Sequence, residues 1–140
     1  MAEATYNVYK AGLANGDEDW EGGDYRALLL TGSLTFDASH STVSAVLGAN
    51  TEASDGSYGR VAFTGKSVTQ NDSDDRADLD GDTLDFDTLD NETPTALVVF
   101  RHVTDDTDSV PASFHDTNFG VAANGAGYTV EWPNDVIRIS

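Results

Sequence analysis

The chain has no cysteine, which excludes disulfide cross-links, thiolate metal sites and a cysteine nucleophile together. Basic residues are nearly as scarce. Against 25 aspartates and glutamates stand 7 lysines and arginines, a net charge of −18, so a polyanionic nucleic acid is not an expected partner. No apolar run approaches the roughly 20 residues a helix needs to cross a bilayer, and no basic stretch followed by an apolar one marks a secretory leader. Neither membrane anchoring nor export by a visible signal is expected. What remains, 140 residues with 13 glycines and 39% apolar side chains, fits one folded domain over residues 1–140 with many turns.

The bias within the charged residues points to salt. Nineteen of the acids are aspartate, and only Lys10 and Lys66 among the bases are lysine. In dilute buffer so many like charges oppose compaction, whereas at about 1 M salt the screening length falls to about 3 Å. Short, strongly hydrated carboxylates then keep the surface soluble, so the expectation is a protein built for brine.

Along the chain, Ala2, Tyr6, Tyr9 and Leu13 form one helical stripe that Gly12 weakens and Gly16 ends, which predicts a short first helix. Tyr25 to Leu30 reads as a central strand, apolar on both faces. A second short helix fits Thr42 to Leu47, with Ser41 as N-cap and Gly48 as terminator. Tyr58 to Thr64, turned by Gly65-Lys66 into Ser67-Val68-Thr69, predicts a hairpin. Ala96-Leu97-Val98-Val99-Phe100 is the strongest buried-strand signal, and Val110 to Phe114 follows as a strand that Pro111 favours at an edge. Tyr128, Val130 and Trp132 alternate with polar residues, Pro133-Asn134-Asp135 makes a turn, and Val136 to Ile139 supplies a last strand. Residues 71–92 carry nine aspartates and Glu92, but Leu84-Asp85-Phe86-Asp87 alternates in strand fashion, so the acids are expected to coat one side of a sheet. The fold class expected is mainly β: an antiparallel β-sandwich or jelly-roll-like barrel with one or two short helices.

Motifs for chemistry are few. Asp78-Leu79-Asp80-Gly81-Asp82 resembles the start of a calcium loop, but with Gly81 at the glycine position Arg76 occupies the place of the first carboxylate and Asp87 that of the bidentate glutamate. A solvated acidic turn is the favoured reading, with Asp78, Asp80 and Asp82 as a weak cation site at most. His40, His102 and His115 show no metal-ligand spacing, and His115 is expected to pair locally with Asp116. No Gly-x-Ser-x-Gly elbow is present, so no enzyme and no cofactor are expected. Gly120 to Gly127 reads as a flexible connection. Trp20 and Tyr58 are the candidates for a sugar platform, whereas Trp132 is expected in the core, and Asn71 and Asn91 head glycosylation triplets.

One resemblance runs over nearly the whole chain. Tyr6-Asn7 with Leu13, Asp19-Trp20, Ala27-Leu28-Leu29-Leu30-Thr31, Gly59-Arg60-Val61-Ala62-Phe63-Thr64-Gly65-Lys66, Asp75 to Asp80 and Ile137-Arg138-Ile139-Ser140 resemble segments of small structural proteins of tailed viruses of bacteria and archaea. The resemblance implies a virion component, and the acidity implies a haloarchaeal host. Its expected place is the capsid surface after assembly in the host cytoplasm, contacting the major capsid protein and other virion proteins. Homo-oligomerisation, for example as a trimer, stays open. Tyr6, Tyr9, Leu13 and Trp20 are the expected interaction residues. The other expectation is a tail, fibre or turret component that binds host surface glycans.

Overall fold

The two apolar runs pair with each other at the centre of the molecule. In the computed structural model, which describes residues 3–86, 89, 92–120, 127–132 and 135–139, β2 (Tyr25–Thr31) and β8 (Pro94–Arg101) are antiparallel, with Leu28 opposite Val98 and Leu29 opposite Leu97. Both parities of each strand are buried. Ala27, Leu29, Leu97 and Val99 belong to one apolar cluster, and Leu28, Leu30, Ala96, Val98 and Phe100 to another on the opposite face. Each fully buried leucine contributes about 1.5–3 kcal/mol, so this pair of strands is the main apolar anchor of the fold.

Beyond β8 lies β9 (Val110–His115), and β1 (Glu3–Thr5) pairs with β9 at the sheet margin. On the far side of β2 two short strands share its edge: β3 (Thr51–Glu52) and β4 (Val61–Ala62). A second layer covers one face. It comprises a three-stranded sheet of β5 (Ser67–Asn71), β6 (Arg76–Asp80) and β11 (Ile137–Ile139), and a two-stranded sheet of β7 (Leu84–Phe86) and β10 (Tyr128–Val130). Leu79, Ile137, Leu84 and Phe86 of this layer join the first apolar cluster. The opposite face is covered by α2 (Val43–Ala49) through Val43 and Val46, by Leu34 and Phe36, and by Tyr6. The molecule is therefore mainly β, an antiparallel sandwich with two short helices among the described residues, as the alternation of apolar residues predicts.

The first helix, α1 (Asn7–Asn15), starts later than its stripe suggests because Glu3–Thr5 is taken by β9; Ala2 lies outside the described residues. Gly16 ends it in the left-handed region at φ 80°. Gly12 is needed inside it, because a Cβ there would stand 2.6 Å from Cγ of Glu18. The Glu18 carboxylate is buried and accepts from Tyr25 Oη at 2.6 Å and Arg101 Nε at 2.7 Å.

In α2 the cap is Thr42 rather than Ser41, with Thr42 Oγ1 accepting from the Ala45 amide at 3.1 Å. Gly48 lies within the helix, and Asn50 ends it by donating from Nδ2 to the Val46 and Thr35 carbonyls. Thr42→Ala should lower stability by about 1 kcal/mol, seen as a shift in the denaturant midpoint with unchanged slope; an unshifted midpoint would show that the cap is dispensable.

The expected hairpin across Gly65-Lys66 does not form. Val61–Ala62 pairs with β2 and Ser67–Asn71 with β6, so the chain crosses from one sheet to the other at Gly65, whose φ is 60° and whose Cβ would strike the Asp82 carboxylate. Pro111 is at an edge only locally: β9 as a whole lies between β1 and β8, but its Pro111 end has no strand partner on the β1 side. The proline is accommodated because β1 pairs only with Ser113–His115 and the ladder to β8 shifts register between Val99 and Phe100. Leu84 to Phe86 alternates as expected, with Asp85 exposed between buried neighbours. Asp87, Asn91, the stretch 121–126 and the turn at Pro133-Asn134 fall outside the described residues.

Candidate functional site

The end of β9 places His115 opposite both Glu3 of β1 and Leu97 of β8, on the face that looks into the sandwich. Here the main sheet and the second layer diverge, and a cleft of about 360 Å³ opens between them. Asn118 then turns the chain at φ 65°, a conformation asparagine tolerates better than most residues, and the Gly120 amide donates to the Pro94 carbonyl at 2.8 Å. These contacts hold Asn118 and Phe119 on one wall. Tyr128, Val130 and Trp132 of the second layer form the other, all partly buried against the core. Trp132 meets the His115 ring edge-on at 5.2 Å and Phe63 at 6.0 Å.

His115 is 6% exposed, and burial pushes its imidazole down to about 4. Its Nε2 is 2.8 Å from Ser113 Oγ, two residues back on the same face, and its Nδ1 is 4.0 Å from Glu3 Oε2. The expected local pairing with Asp116 gives way to this one, because residues two apart on a strand share a face while neighbours do not. Serine, histidine and glutamate thus follow one another as in a hydrolase triad. Ser113, however, has no exposed surface and lies outside the cleft lining, so the arrangement is a hydrogen-bonded closure of the inter-sheet space rather than an accessible nucleophile.

Charges at the mouth are mixed. Burial raises the Glu3 carboxyl, opposed by Arg138 and reinforced by Asp135. Asp135 is itself buried and accepts from Arg138 Nε at 2.9 and 3.1 Å, with Arg76 at 3.7 Å. Glu131 is exposed on the rim. Trp132 Nε1 is a buried donor without a partner among the described residues.

The expected site residues are dispersed. Asp78 lies on β6, accepting from Asn71 and Arg76, and these bonds hold its carboxyl below the usual range. Asp80 accepts from the Gly81 amide, and Asp82 from Thr64 Oγ1. Among the described residues no three histidines or carboxylates are grouped so as to hold a metal ion. Tyr6 and Tyr9 are fully buried in the chain's own core, because the helix stripe faces both apolar clusters, and so they cannot serve as docking residues. Trp20 is 2% exposed and donates from Nε1 to the Asp80 carbonyl, while Tyr58 Oη donates to Glu52 and accepts from the Leu29 amide; neither is a sugar platform.

Leu13 and the edge of Trp20 do reach the surface together. With Val68, Ala77, Leu79 and Ile139 they line a shallow apolar groove where the inner face of the β5–β6–β11 sheet extends past its cover. Val68, 48% exposed, is the most exposed large apolar residue of the described chain. Comparison with protein-family models, curated proteins and solved structures found no match to this chain. The molecule is thus an acidic β-sandwich with an inter-sheet cleft at one end and an apolar groove beside α1.

Proposed function

We propose that this protein is a non-enzymatic structural component of a virus particle from a brine habitat, decorating and reinforcing the capsid of a tailed haloarchaeal virus by docking on the major capsid protein. The observation that carries the reading is the groove of Leu13, Trp20, Val68, Ala77, Leu79 and Ile139, an apolar strip on a protein of net charge −18. At molar salt the repulsion between acidic surfaces is screened within a few ångströms, and burial of such a strip then supplies the attraction. In dilute salt the same surfaces repel, so assembly is conditional on brine.

Cryo-electron microscopy of the particle tests the placement: density for this chain on the head is expected, and density confined to the tail overturns it. Val68→Asp tests the groove. The side chain is half exposed, so the variant should fold with an unchanged melting temperature yet fail to co-sediment with capsid shells at molar salt. Normal incorporation of Val68→Asp would remove the groove from the contact.

A further inference from the structure

From the composition of its walls, we infer that the cleft between His115 and Trp132 is a binding site for a neutral sugar, the terminal unit of a glycan. This goes beyond the structural role and uses a different face of the molecule. The cleft offers apolar planes, acceptors and donors together. Tyr128, Trp132 and Phe119 supply ring surface against which the C–H face of a pyranose can lie. Glu3 and Glu131 accept from hydroxyls, and Asn118 and Arg138 donate.

Other ligand classes fit less well. A cation would gain the carboxylates and rings but meet Arg138, and the donors of Asn118 and Arg138 would stay unused. An anion would meet Glu3 and Glu131. A purely apolar ligand would desolvate Glu3, whose carboxyl is already raised by burial, and return no hydrogen bond. A polyhydroxylated neutral ring uses both sets. The volume of about 360 Å³ lies at the low end of small-molecule clefts, roughly 300–1,000 Å³, which suits a chain end rather than a long oligosaccharide.

The test uses the full chain at molar KCl on an array carrying neutral hexose, N-acetylhexosamine and uronic acid oligosaccharides, followed by titration of any hit against tryptophan fluorescence. Binding to neutral glycans is expected, with a change in emission because Trp132 is one of two tryptophans. Glu3→Ala and Glu131→Ala, each checked for an unchanged melting temperature, should weaken binding about tenfold or more, since each removes a hydrogen bond to a charged acceptor. Val68→Asp should bind like the parent, which separates this site from the docking groove. The assignment is overturned by an array without neutral hits, by affinities that the two cleft variants leave unchanged, or by preference for arginine or choline over every sugar.

Discussion

Transfer of the purified protein from about 1 M to about 0.01 M KCl should unfold it at room temperature. Treated as a sphere of about 18 Å radius in water, a charge of −18 repels itself by about 23 kcal/mol at a screening length of about 30 Å and about 5 kcal/mol at about 3 Å. The unfolded chain, with a radius of gyration of about 39 Å, spreads the same charge and changes by only about 6 kcal/mol. The difference, on the order of 10 kcal/mol, is as large as the whole stability of a typical domain. Internal neutralisation cannot make it up, because all five arginines are already paired with carboxylates. Thermal melts followed by circular dichroism across NaCl and KCl series measure the effect, and a melting temperature flat from low to molar salt refutes it. Repeating the series with a chelator at fixed ionic strength separates screening from site binding. A large chelator effect would restore Asp78, Asp80 and Asp82 as a cation site.

His115 should make stability fall on acidification by about 3 kcal/mol between pH values of about 6.5 and 4. Its folded pKa is depressed, so the unfolded chain takes up a proton below about 6.5 while the folded chain resists until about 4. The contribution is complete above the unfolded value and is lost as pH falls through the window. Two other effects run the opposite way. Glu3, whose carboxyl is raised, adds stability at low pH that is lost as pH rises, and protonation of carboxylates in general relieves repulsion. The clean measurement is a difference between the parent and His115→Phe combined with Ser113→Ala, which leaves no hydroxyl without its partner. The gap between their stabilities should change by about 3 kcal/mol from pH 7 to 4; parallel curves would mean that the imidazole is not held neutral.

The central strands were legible because their signal is local. A run such as Ala96 to Phe100, apolar at both parities, has to be covered on both sides, and β8 is. Leu84 to Phe86 was legible for the complementary reason, its strict alternation. Pairing was not legible where it depends on distant chain. Gly65 does turn the backbone, yet the partner of β5 is decided by Val68 meeting Leu79 rather than by the turn. Glu3-Ala4-Thr5 has no pattern of its own and becomes a strand only because β9 offers an open edge.

The candidate sites were legible in part. Leu13 and Trp20 do line a surface groove, but the stripe that pointed to them also contains Tyr6 and Tyr9, and periodicity cannot tell a face turned to a partner from one turned to the chain's own core. The cleft was missed altogether. Its walls come from β1, the end of β9, β10 with the residues that follow it, and β11, which no spacing rule joins, and the one available signal was a histidine two residues from a serine in an apolar strand.

The pairing of Glu3 with His115 also orders events during synthesis. β1 is made before β9 and has no strand partner until β9 has followed, whereas β6 pairs at once with the preceding β5 and only its other edge waits for β11. A nascent chain that has made β2 and β8 but not β9 carries the two most apolar strands with the β9 side of the sheet unpaired, an open template for a neighbour on the same message. The species most exposed to mispairing during synthesis is therefore the unfinished polypeptide, whose lifetime depends on translation speed and chaperone supply.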